Sequence, residues 1–393
     1  MGSGRCAPMG AWLGIVGLFM TMGAQAGTVL QDDFEELPYA RGWTYEKGSP
    51  QEEPWSGDFA AAGSHSLKAA GGQWFSPPFL VKPFQWYRVS FQTRAGKPGL
   101  WAALFQDRDN AELPDHYSQF DAGDSWVRHE FCFRAKALAR SCRIMLTAAE
   151  NGVAYFDAFE VRTAERSDVA AWSDAVYATV PPLHVTSPAD RWSLLPNTKR
   201  MLDEAKPLRV VMLGDSIIND TGSSPWELLV EREWEDTRIE VVTSVRGGTG
   251  CWWYREENRV KSYVLDHKPD LLIIGGISQK GDLAAIQAVI DQVRAARPQQ
   301  EILLMTGPVG FYGDPRRPPP EPKPGVMPSP EYIQKLAALA TEQGCGFYDM
   351  ETLWKAYIGT SEKPYEYFLR DPVHANDRGR AVLARLMESF FKS

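Results

Sequence analysis

The 393-residue chain is 44% hydrophobic, which is enough apolar material for two domain cores. A single domain of this length would be unusually large. Its formal net charge is −8 at pH 7, and the sequence contains no long basic run. Because such a surface repels a phosphate backbone, we exclude nucleic acid as an expected partner.

The first 26 residues have the pattern of a cleavable signal peptide. Arg5 supplies the positive start, residues 11–22 form an apolar run, and Ala24-Gln25-Ala26 fits a small-x-small cleavage site. The apolar run is too short to span a bilayer comfortably. We therefore expect a secreted or periplasmic protein whose mature chain begins near Gly27 and has no membrane span.

Four cysteines remain in the predicted mature chain, and export makes disulfides chemically available to them. Cys132 and Cys142 flank a turn-like segment between two strand-like runs, which favours a hairpin disulfide. Four cysteines allow three pairings, and the sequence does not choose between them. No CxxC and no paired histidines occur, so we expect no catalytic metal.

Residues 27–165 read as an all-β domain. Short alternating runs, such as 87–91, 100–105 and 154–161, are separated by clusters of glycine, proline, aspartate and asparagine. This pattern is typical of a β-sandwich. Its tryptophans are either inward-facing core residues, which is the favoured interpretation, or a platform for sugar rings. They are Trp74, Trp86, Trp101 and Trp126.

Several short motifs in this region resemble those of jelly-roll carbohydrate-binding modules. They are Asp33-Phe34-Glu35, Gly42-Trp43, the run 126–135 and Tyr155-Phe156-Asp157. The resemblance implies a jelly-roll sandwich and a capacity to bind sugar. It also implies a structural calcium ion held by Glu35 and Asp157, although exposed or hydrogen-bonded carboxylates are the favoured interpretation of these residues.

Residues 166–206 differ in character from the domains on either side. Prolines at 181, 182, 188 and 196 interrupt regular structure, so this segment is predicted to be a semi-rigid linker packed between two domains.

Residues 207–393 alternate between apolar runs and amphipathic segments, which predicts a parallel five-stranded sheet covered by helices on both faces. The order expected for such an α/β fold is flavodoxin-like, with the site at the carboxyl ends of the strands. Predicted strands span 208–213, 239–245, 270–276, 301–307 and 346–350. Predicted helices span 282–296, 331–343 and 378–391.

The chemistry-bearing residues follow these strands. Gly214-Asp215-Ser216 ends the first strand, and Asp371-Pro372-Val373-His374 precedes the last helix. Serine, acid and histidine are the components of an acyl-transfer triad. A glycine-rich loop, 246–250, follows the second strand and offers N–H groups to an oxyanion, whereas no phosphate-binding fingerprint follows the first.

The order of these blocks resembles the SGNH/GDSL hydrolase superfamily across residues 207–393. The resemblance implies that Ser216 is the nucleophile, that Asp371 and His374 are the acid and base, and that no cofactor is required. It also implies that the N–H groups of Ser216 and Gly250 form an oxyanion hole. Where the family has an asparagine in its third block, this chain has Ser278, followed by Gln279, which is a less favoured donor.

Aromatic and cationic residues surround the predicted oxyanion glycine. Trp252, Trp253 and Tyr254 are equally consistent with a sugar-stacking wall and with core packing, and Arg246 with binding an acidic sugar or fixing the loop.

Taken together, these features predict an exported serine esterase that removes O-acetyl groups from a polysaccharide. The alternatives are a lipid or short-chain acylhydrolase, a sugar O-acyltransferase, and a non-catalytic glycan-binding protein.

Overall fold

The computed structural model describes residues 27–47, 54–308, 313–318, 327 and 329–392. The predicted signal peptide, residues 1–26, lies outside the described residues. Within the described ranges, no helix combines the length and apolar character needed to cross a bilayer.

Strands between residues 28 and 163 form an antiparallel β-sandwich. They are β1 (Thr28–Asp32), β2 (Thr44–Glu46), β3 (Trp55–Ser56), β4 (Ser66–Ala70), β5 (Gln73–Phe75), β6 (Phe79–Leu80), β7 (Trp86–Ala95), β8 (Gly99–Gln106), β9 (Glu112–Phe120), β10 (Gly123–Arg134), β11 (Ser141–Thr147) and β12 (Val153–Thr163). One sheet has the order β10-β7-β12-β4-β3, with β1 paired to β12. The other has the order β2-β5-β11-β8-β9, with β6 paired to β11. Apolar side chains from both sheets share one core, which confirms the predicted sandwich.

The tryptophans of the sandwich are mainly packing residues. Trp74 and Trp101 lie in the core between the sheets, with 0% and 2% of their surface exposed. Trp86 is also buried, but in a separate apolar cluster with Cys132 and Leu228. Trp126 is half-buried. The inward-facing interpretation is therefore confirmed for Trp74 and Trp101, whereas Trp86 is buried outside the core between the sheets.

The predicted disulfide between Cys132 and Cys142 is wrong. Cys132 lies on β10 of one sheet and Cys142 on β11 of the other, and both thiols are free and buried. The turn between these strands crosses from one sheet to the other, so the strands are not paired as a hairpin would require. Cys251 and Cys345 are likewise free and buried.

The segment predicted as an irregular linker contains two helices, α1 (Arg166–Tyr177) and α2 (Pro196–Asp203). Prolines interrupt only the residues between them, and Pro196 itself occupies the first turn of α2, where it costs no hydrogen bond. Helix α1 carries Asp174, which forms ion pairs with Arg232 and Arg385. Val169 and Ala170 of α1 share an apolar cluster with Trp86 of the sandwich and Leu228 of the C-terminal domain, so this helix packs between the two domains.

The C-terminal domain contains the predicted parallel sheet. Its strands are β13 (Leu208–Gly214), β14 (Ile239–Val245), β15 (Leu271–Ile274), β16 (Glu301–Met305) and β17 (Gly346–Tyr348). Their order, β14-β13-β15-β16-β17, is the flavodoxin-like arrangement, and every pairing is parallel. Both the sheet and its strand order are confirmed.

Helices cover both faces of this sheet. They are α3 (Ser216–Ser223), α4 (Trp226–Glu231), α5 (Cys251–Tyr254), α6 (Arg259–Tyr263), α7 (Leu283–Ala296), α8 (Ser329–Glu342), α9 (Met350–Thr360) and α10 (Asp377–Phe391). Two apolar clusters lie between these helices and the sheet, one containing α10 and the other α7. The result is a three-layer α/β domain.

The sandwich packs directly against the helices that follow β13. Arg134, at the end of β10, forms a buried ion pair with Glu227 of α4. The ammonium of Lys136 is buried between the domains and donates to Asn219 Oδ1 at 2.6 Å and to Ser223 Oγ at 3.0 Å, both on α3. The face of the sandwich around Arg134 and Lys136 therefore lies immediately behind the helix that begins at Ser216.

Candidate active site

Ser216 begins helix α3 at the carboxyl end of the buried strand β13. A Cβ at Gly214 would lie 2.6 Å from the carbonyl oxygen of Gly275 on the neighbouring strand's loop, so only glycine fits at this close approach. Asp215 caps the helix by accepting from the N–H groups of Ile217 at 3.0 Å and Ile218 at 3.4 Å. Strand, tight approach and cap together fix the serine at the edge of the sheet.

Asp215 also holds the loop after β15. Its Oδ2 accepts from the N–H groups of Ile277 and Ser278, each at 2.7 Å. Gly276, at φ +103°, brings the loop so close that a Cβ would lie 2.5 Å from Asp215 Oδ1. Burial raises the pKa of Asp215, and hydrogen bonds from Ser278, Ile217 and Ile218 oppose that rise. One carboxylate thus joins the first and third strand ends.

The three residues predicted as a triad meet in the structure. His374 Nε2 lies 2.8 Å from Ser216 Oγ. His374 Nδ1 lies 2.9 Å from Asp371 Oδ2 and 3.0 Å from Asp371 Oδ1. A serine, an imidazole and a carboxylate joined in this order can generate a nucleophilic alkoxide, because the imidazole takes the hydroxyl proton while the carboxylate orients it.

The Asp371 carboxylate is held in its ionised form. Burial alone would raise its pKa, but hydrogen bonds from the His374 side chain and from the Val373 and His374 N–H groups, with the attraction of His374, lower it to about 2. The two N–H groups donate at 2.8 and 2.9 Å. These contacts fold the segment back on itself, so that acid and base are oriented by one short turn.

Gly250 lies at the N-terminus of the short helix α5, facing the loop after β15. A Cβ there would lie 2.7 Å from Ser278 O and 2.8 Å from Gln279 Oε1. The buried Gln279 side chain accepts from the N–H of Cys251 at 2.9 Å and donates to Gly275 O at 2.8 Å. It therefore braces the glycine loop, a role that its position in the sequence motif does not reveal.

Ser278 occupies the position where the superfamily has an asparagine, but its polar groups face Asp215. Its N–H donates to Oδ2, and its side chain also hydrogen bonds to that carboxylate. In this arrangement Ser278 helps to fix the loop, and the oxyanion roles of Ser216, Gly250 and Ser278 stay predictions.

The four predicted substrate-binding residues divide into two groups. Tyr254 is 0% exposed, and its hydroxyl contacts Gly214 O and the Arg246 N–H, so a sugar-stacking role does not fit this position. Trp252 and Trp253 are half-buried, and Arg246 is exposed with its guanidinium 4.7 Å from the centre of the Trp253 ring. The sequence pattern could not distinguish buried from accessible aromatic residues here, because α5 is too short to show a helical period of hydrophobicity.

Glu35 and Asp157, the predicted calcium ligands, accept hydrogen bonds from the protein. Glu35 binds the N–H groups of Ser64 and His65 and the Ser64 hydroxyl. Asp157 binds the N–H groups of Ala61 and Ala62 through one oxygen. These donors occupy the carboxylate oxygens without an ion, and calcium binding stays a prediction. Among the described residues, no cluster of three or more metal-ligating side chains occurs.

A groove of about 600 Å³ begins at Asp371 and Pro372. Gln119, at the end of β9, forms its sandwich side, and Tyr365 and Arg317 belong to the α/β domain. The two domains therefore share one depression beside the triad.

Comparison with known families places the site in context. Residues 212–382 match the model of the GDSL-like lipase/acylhydrolase family. The match includes Ser216, Gly250, Asp371 and His374, and it confirms the resemblance seen in the sequence motifs. No curated protein matches the chain.

Three solved structures are similar in part. A two-domain esterase active on acetylated mannans is 16% identical over 51% of this chain and 52% of its own, with a TM-score of 0.38. A catalytic mutant of Axe2, an acetylxylan esterase from Geobacillus stearothermophilus, is 17% identical over 46% of this chain and 91% of its own, with a TM-score of 0.35. The xylan-binding domain CBM22-1 of Paenibacillus barcinonensis Xyn10C is 15% identical over 35% of this chain and 95% of its own, with a TM-score of 0.29. The chain thus spans about half the length of the two-domain esterase.

Proposed function

We propose that this protein is an exported serine esterase that removes O-acetyl groups from a polysaccharide. The observation that carries the proposal is the contact of His374 Nε2 with Ser216 Oγ at 2.8 Å, completed by Asp371 on Nδ1. The match of residues 212–382 to an acylhydrolase family supports hydrolysis of an ester as the reaction class.

The first half of the reaction is acylation. His374 Nε2 accepts the proton of Ser216 Oγ as the oxygen attacks the ester carbonyl, and Asp371 stabilises the imidazolium that forms. Collapse of the tetrahedral intermediate breaks the bond to the sugar oxygen. The imidazolium returns its proton to that oxygen, so the sugar hydroxyl leaves and the acetyl group stays on Ser216.

The second half repeats the cycle with water. His374 takes a proton from water, the hydroxide attacks the acetyl carbonyl, and the imidazolium then reprotonates Ser216 Oγ as acetate leaves. In both halves the negative oxygen is stabilised by the N–H groups of Ser216 and Gly250. Donors fixed before the reaction cost no reorganisation, and each contributes roughly 3 kcal/mol in related chemistry.

Two features support a glycan as the alcohol component. The groove of about 600 Å³ beside Asp371 carries polar side chains among apolar ones, and those of Gln119 and Arg317 can hydrogen bond to sugar hydroxyls. Trp252 and Trp253, which follow Gly250 closely in sequence, are half-buried, so part of each ring is accessible to a sugar. Export is proposed from the predicted signal peptide.

The proposal is tested by acetate release from p-nitrophenyl acetate, acetylated xylan and acetylated mannan. We expect the parent to release acetate, with Ser216→Ala losing roughly 10⁴-fold or more of kcat. Ser262→Ala removes an exposed hydroxyl from α6 and serves as the matched control.

Equal release by the parent and Ser216→Ala would contradict the triad. Release from p-nitrophenyl acetate with none from either polymer would contradict the glycan assignment and leave a short-chain acylhydrolase.

A further inference from the structure

Asp220 lies on α3 one helical turn after Ser216, and its buried carboxylate binds both ends of the segment that carries Asp371 and His374. Arg370, which immediately precedes Asp371, donates from Nη1 to Asp220 Oδ1 at 3.0 Å and to Oδ2 at 3.1 Å. The N–H of Ala375, which immediately follows His374, donates to Oδ2 at 3.0 Å. The acid and base are therefore enclosed between two residues bound to the nucleophile's own helix.

The segment is also closed on itself. Arg370 donates its side chain to Ala375 O and its N–H to His374 O, the latter at 3.0 Å. Since both ends are joined to each other and to Asp220, the segment cannot shift relative to Ser216 without breaking contacts to this carboxylate.

The sandwich completes the surroundings of Asp220. Arg380, on α10, contacts Asp220 Oδ1 at 3.3 Å and also donates to the main-chain oxygen of Tyr117 on β9. The hydroxyl of Ser118 accepts from the Asp377 N–H at 2.9 Å. Strand β9 of the N-terminal domain thus binds Arg380, the second cation in the cluster of Asp220, Arg370 and Arg380. The same strand also binds the start of α10.

The cluster is shielded from water, so its charges are screened less than charges at the protein surface. Asp220 and Arg380 are 1% and 3% exposed, and the Arg370 side chain is 9% exposed. Arg370 Nε also lies 3.8 Å from Asp371 Oδ2. In a site of low polarity, an unbalanced charge at this distance changes the protonation of a neighbouring group.

Other titratable groups face the same cluster from every packed element. From the sandwich come Asp115, His116, Arg134 and Lys136, and from α10 comes Asp377. Burial, with Arg380 and Lys136 nearby, keeps the pKa of His116 well below its ordinary value. Burial lowers the pKa of Lys136 to about 7. None of the variants used in the test below changes these groups.

We propose that Asp220 is a positioning residue, which holds the Asp371–His374 segment against Ser216 and neutralises Arg370 beside Asp371. The proposal rests on the esterase function proposed above. It assigns the N-terminal sandwich a part in catalysis that is separate from sugar binding, because β9 supports the cluster from behind.

The test compares kcat and KM for p-nitrophenyl acetate across pH in Asp220→Asn, Arg370→Gln and a control, Asp121→Asn. The control removes an ion pair between the same two domains, that of Asp121 with Arg378, which does not contact Asp371 or His374. Thermal unfolding of each variant is measured alongside.

We expect Asp220→Asn to lower kcat roughly 10- to 100-fold, with KM changed less than about twofold, because geometry and not substrate contact is lost. The acidic limb of the kcat/KM profile moves to lower pH, since the unbalanced Arg370 opposes protonation of His374. Arg370→Gln removes the positive charge beside Asp371 and leaves Asp220 paired with Arg380 alone, so that limb moves to higher pH. The control shows neither effect.

Opposite shifts of the acidic limb identify positioning through charge. An Asp220→Asn protein that unfolds at lower temperature but keeps the parent's kcat and pH profile, or two variants that shift the limb in one direction, overturns the proposal. If Asp220→Asn does not fold, Arg370→Gln alone tests the proposal. A shift of its acidic limb to higher pH supports the proposal, and no shift or a shift to lower pH overturns it.

Failure of the esterase function itself is distinguishable, since the parent would then release no acetate. In that case the rate at which a fluorophosphonate labels Ser216 replaces turnover. Slower labelling of Asp220→Asn than of Asp121→Asn supports the positioning role, and equal labelling refutes it.

Discussion

The two sides of the Ser216 hydroxyl are held in place by different interactions. On the acid–base side, Asp371 and His374 belong to a segment fixed by charged side chains, namely Arg370 on Asp220, and the Asp371 side chain is 41% exposed. On the oxyanion side, the loops around Gly250 and Gly276 are fixed by main-chain N–H groups and by contacts too close for a side-chain carbon. The first side should respond to charge and pH, and the second to added volume.

On the acid–base side, we expect Asp371→Asn to cause the largest loss of activity. We expect kcat to fall roughly 10³- to 10⁴-fold, because an amide cannot stabilise the imidazolium and can hold the wrong tautomer of His374. Steady-state kinetics over a range of pH measures this loss. Glu366→Gln, which alters an exposed acid lining the same groove, is the matched control and should keep most of the parent's kcat. A loss below about tenfold in Asp371→Asn would show that the carboxylate is not part of the mechanism.

On the predicted oxyanion side, Gly250→Ala adds a single methyl group to the loop. The new Cβ would lie 2.7 Å from Ser278 O, so the loop must move and its N–H must leave its position. We expect kcat to fall roughly 10²- to 10³-fold at every pH, because no titrating group is involved. Gly247→Ala places a methyl group in open space within the same loop and should be nearly silent. If both variants behave alike, the Gly250 N–H has no special role.

The smallest expected effect concerns the stability of the protein, through Lys136, which is buried between the two domains. The pKa of the buried Lys136 is about 7, below the ordinary lysine value of 10.5, so between these values the unfolded chain binds more protons than the folded one. The contribution of Lys136 to the free energy of unfolding therefore rises with pH in this window, by up to about 1.4 kcal/mol per pH unit.

Urea denaturation at several pH values measures this contribution of Lys136. The parent's free energy of unfolding minus that of Lys136→Met should rise with pH from about 7 to 9, whereas the same difference for Lys97→Met, at an exposed lysine of the sandwich, should not. A difference between the parent and Lys136→Met that does not change with pH would contradict the low pKa of the buried Lys136.

Much of the fold and the central site could be predicted because both depend on local patterns. Apolar runs alternating with amphipathic segments define a parallel sheet, and the carboxyl ends of its strands meet at one edge. This brings Ser216 close to Asp371 and His374 although they are more than 150 residues apart in sequence, as the 158-residue separation of Ser216 and His374 shows. The α10 helix begins at Asp377, one residue from its predicted start.

The remainder depends on contacts between distant segments, which no local pattern encodes. Tyr254 and Trp253 are neighbours in sequence, and only the packed structure shows that the first is buried and the second half-buried. Cys132 and Cys142 look like partners until the strands are assigned to different sheets. Asp220 and Gln279 carry no motif, because their roles arise from where Arg370 and Cys251 come to lie.

The most direct test of the account is to locate the acetyl group on the enzyme. The parent protein is mixed with p-nitrophenyl acetate, quenched in acid within the first turnover and digested, and the acetylated peptide is identified by mass spectrometry. The proposed mechanism predicts acetylation of Ser216 in the parent and none at this position in Ser216→Ala. Acetate release with the acetyl group on another residue, or with no covalent intermediate in the burst phase, would contradict it.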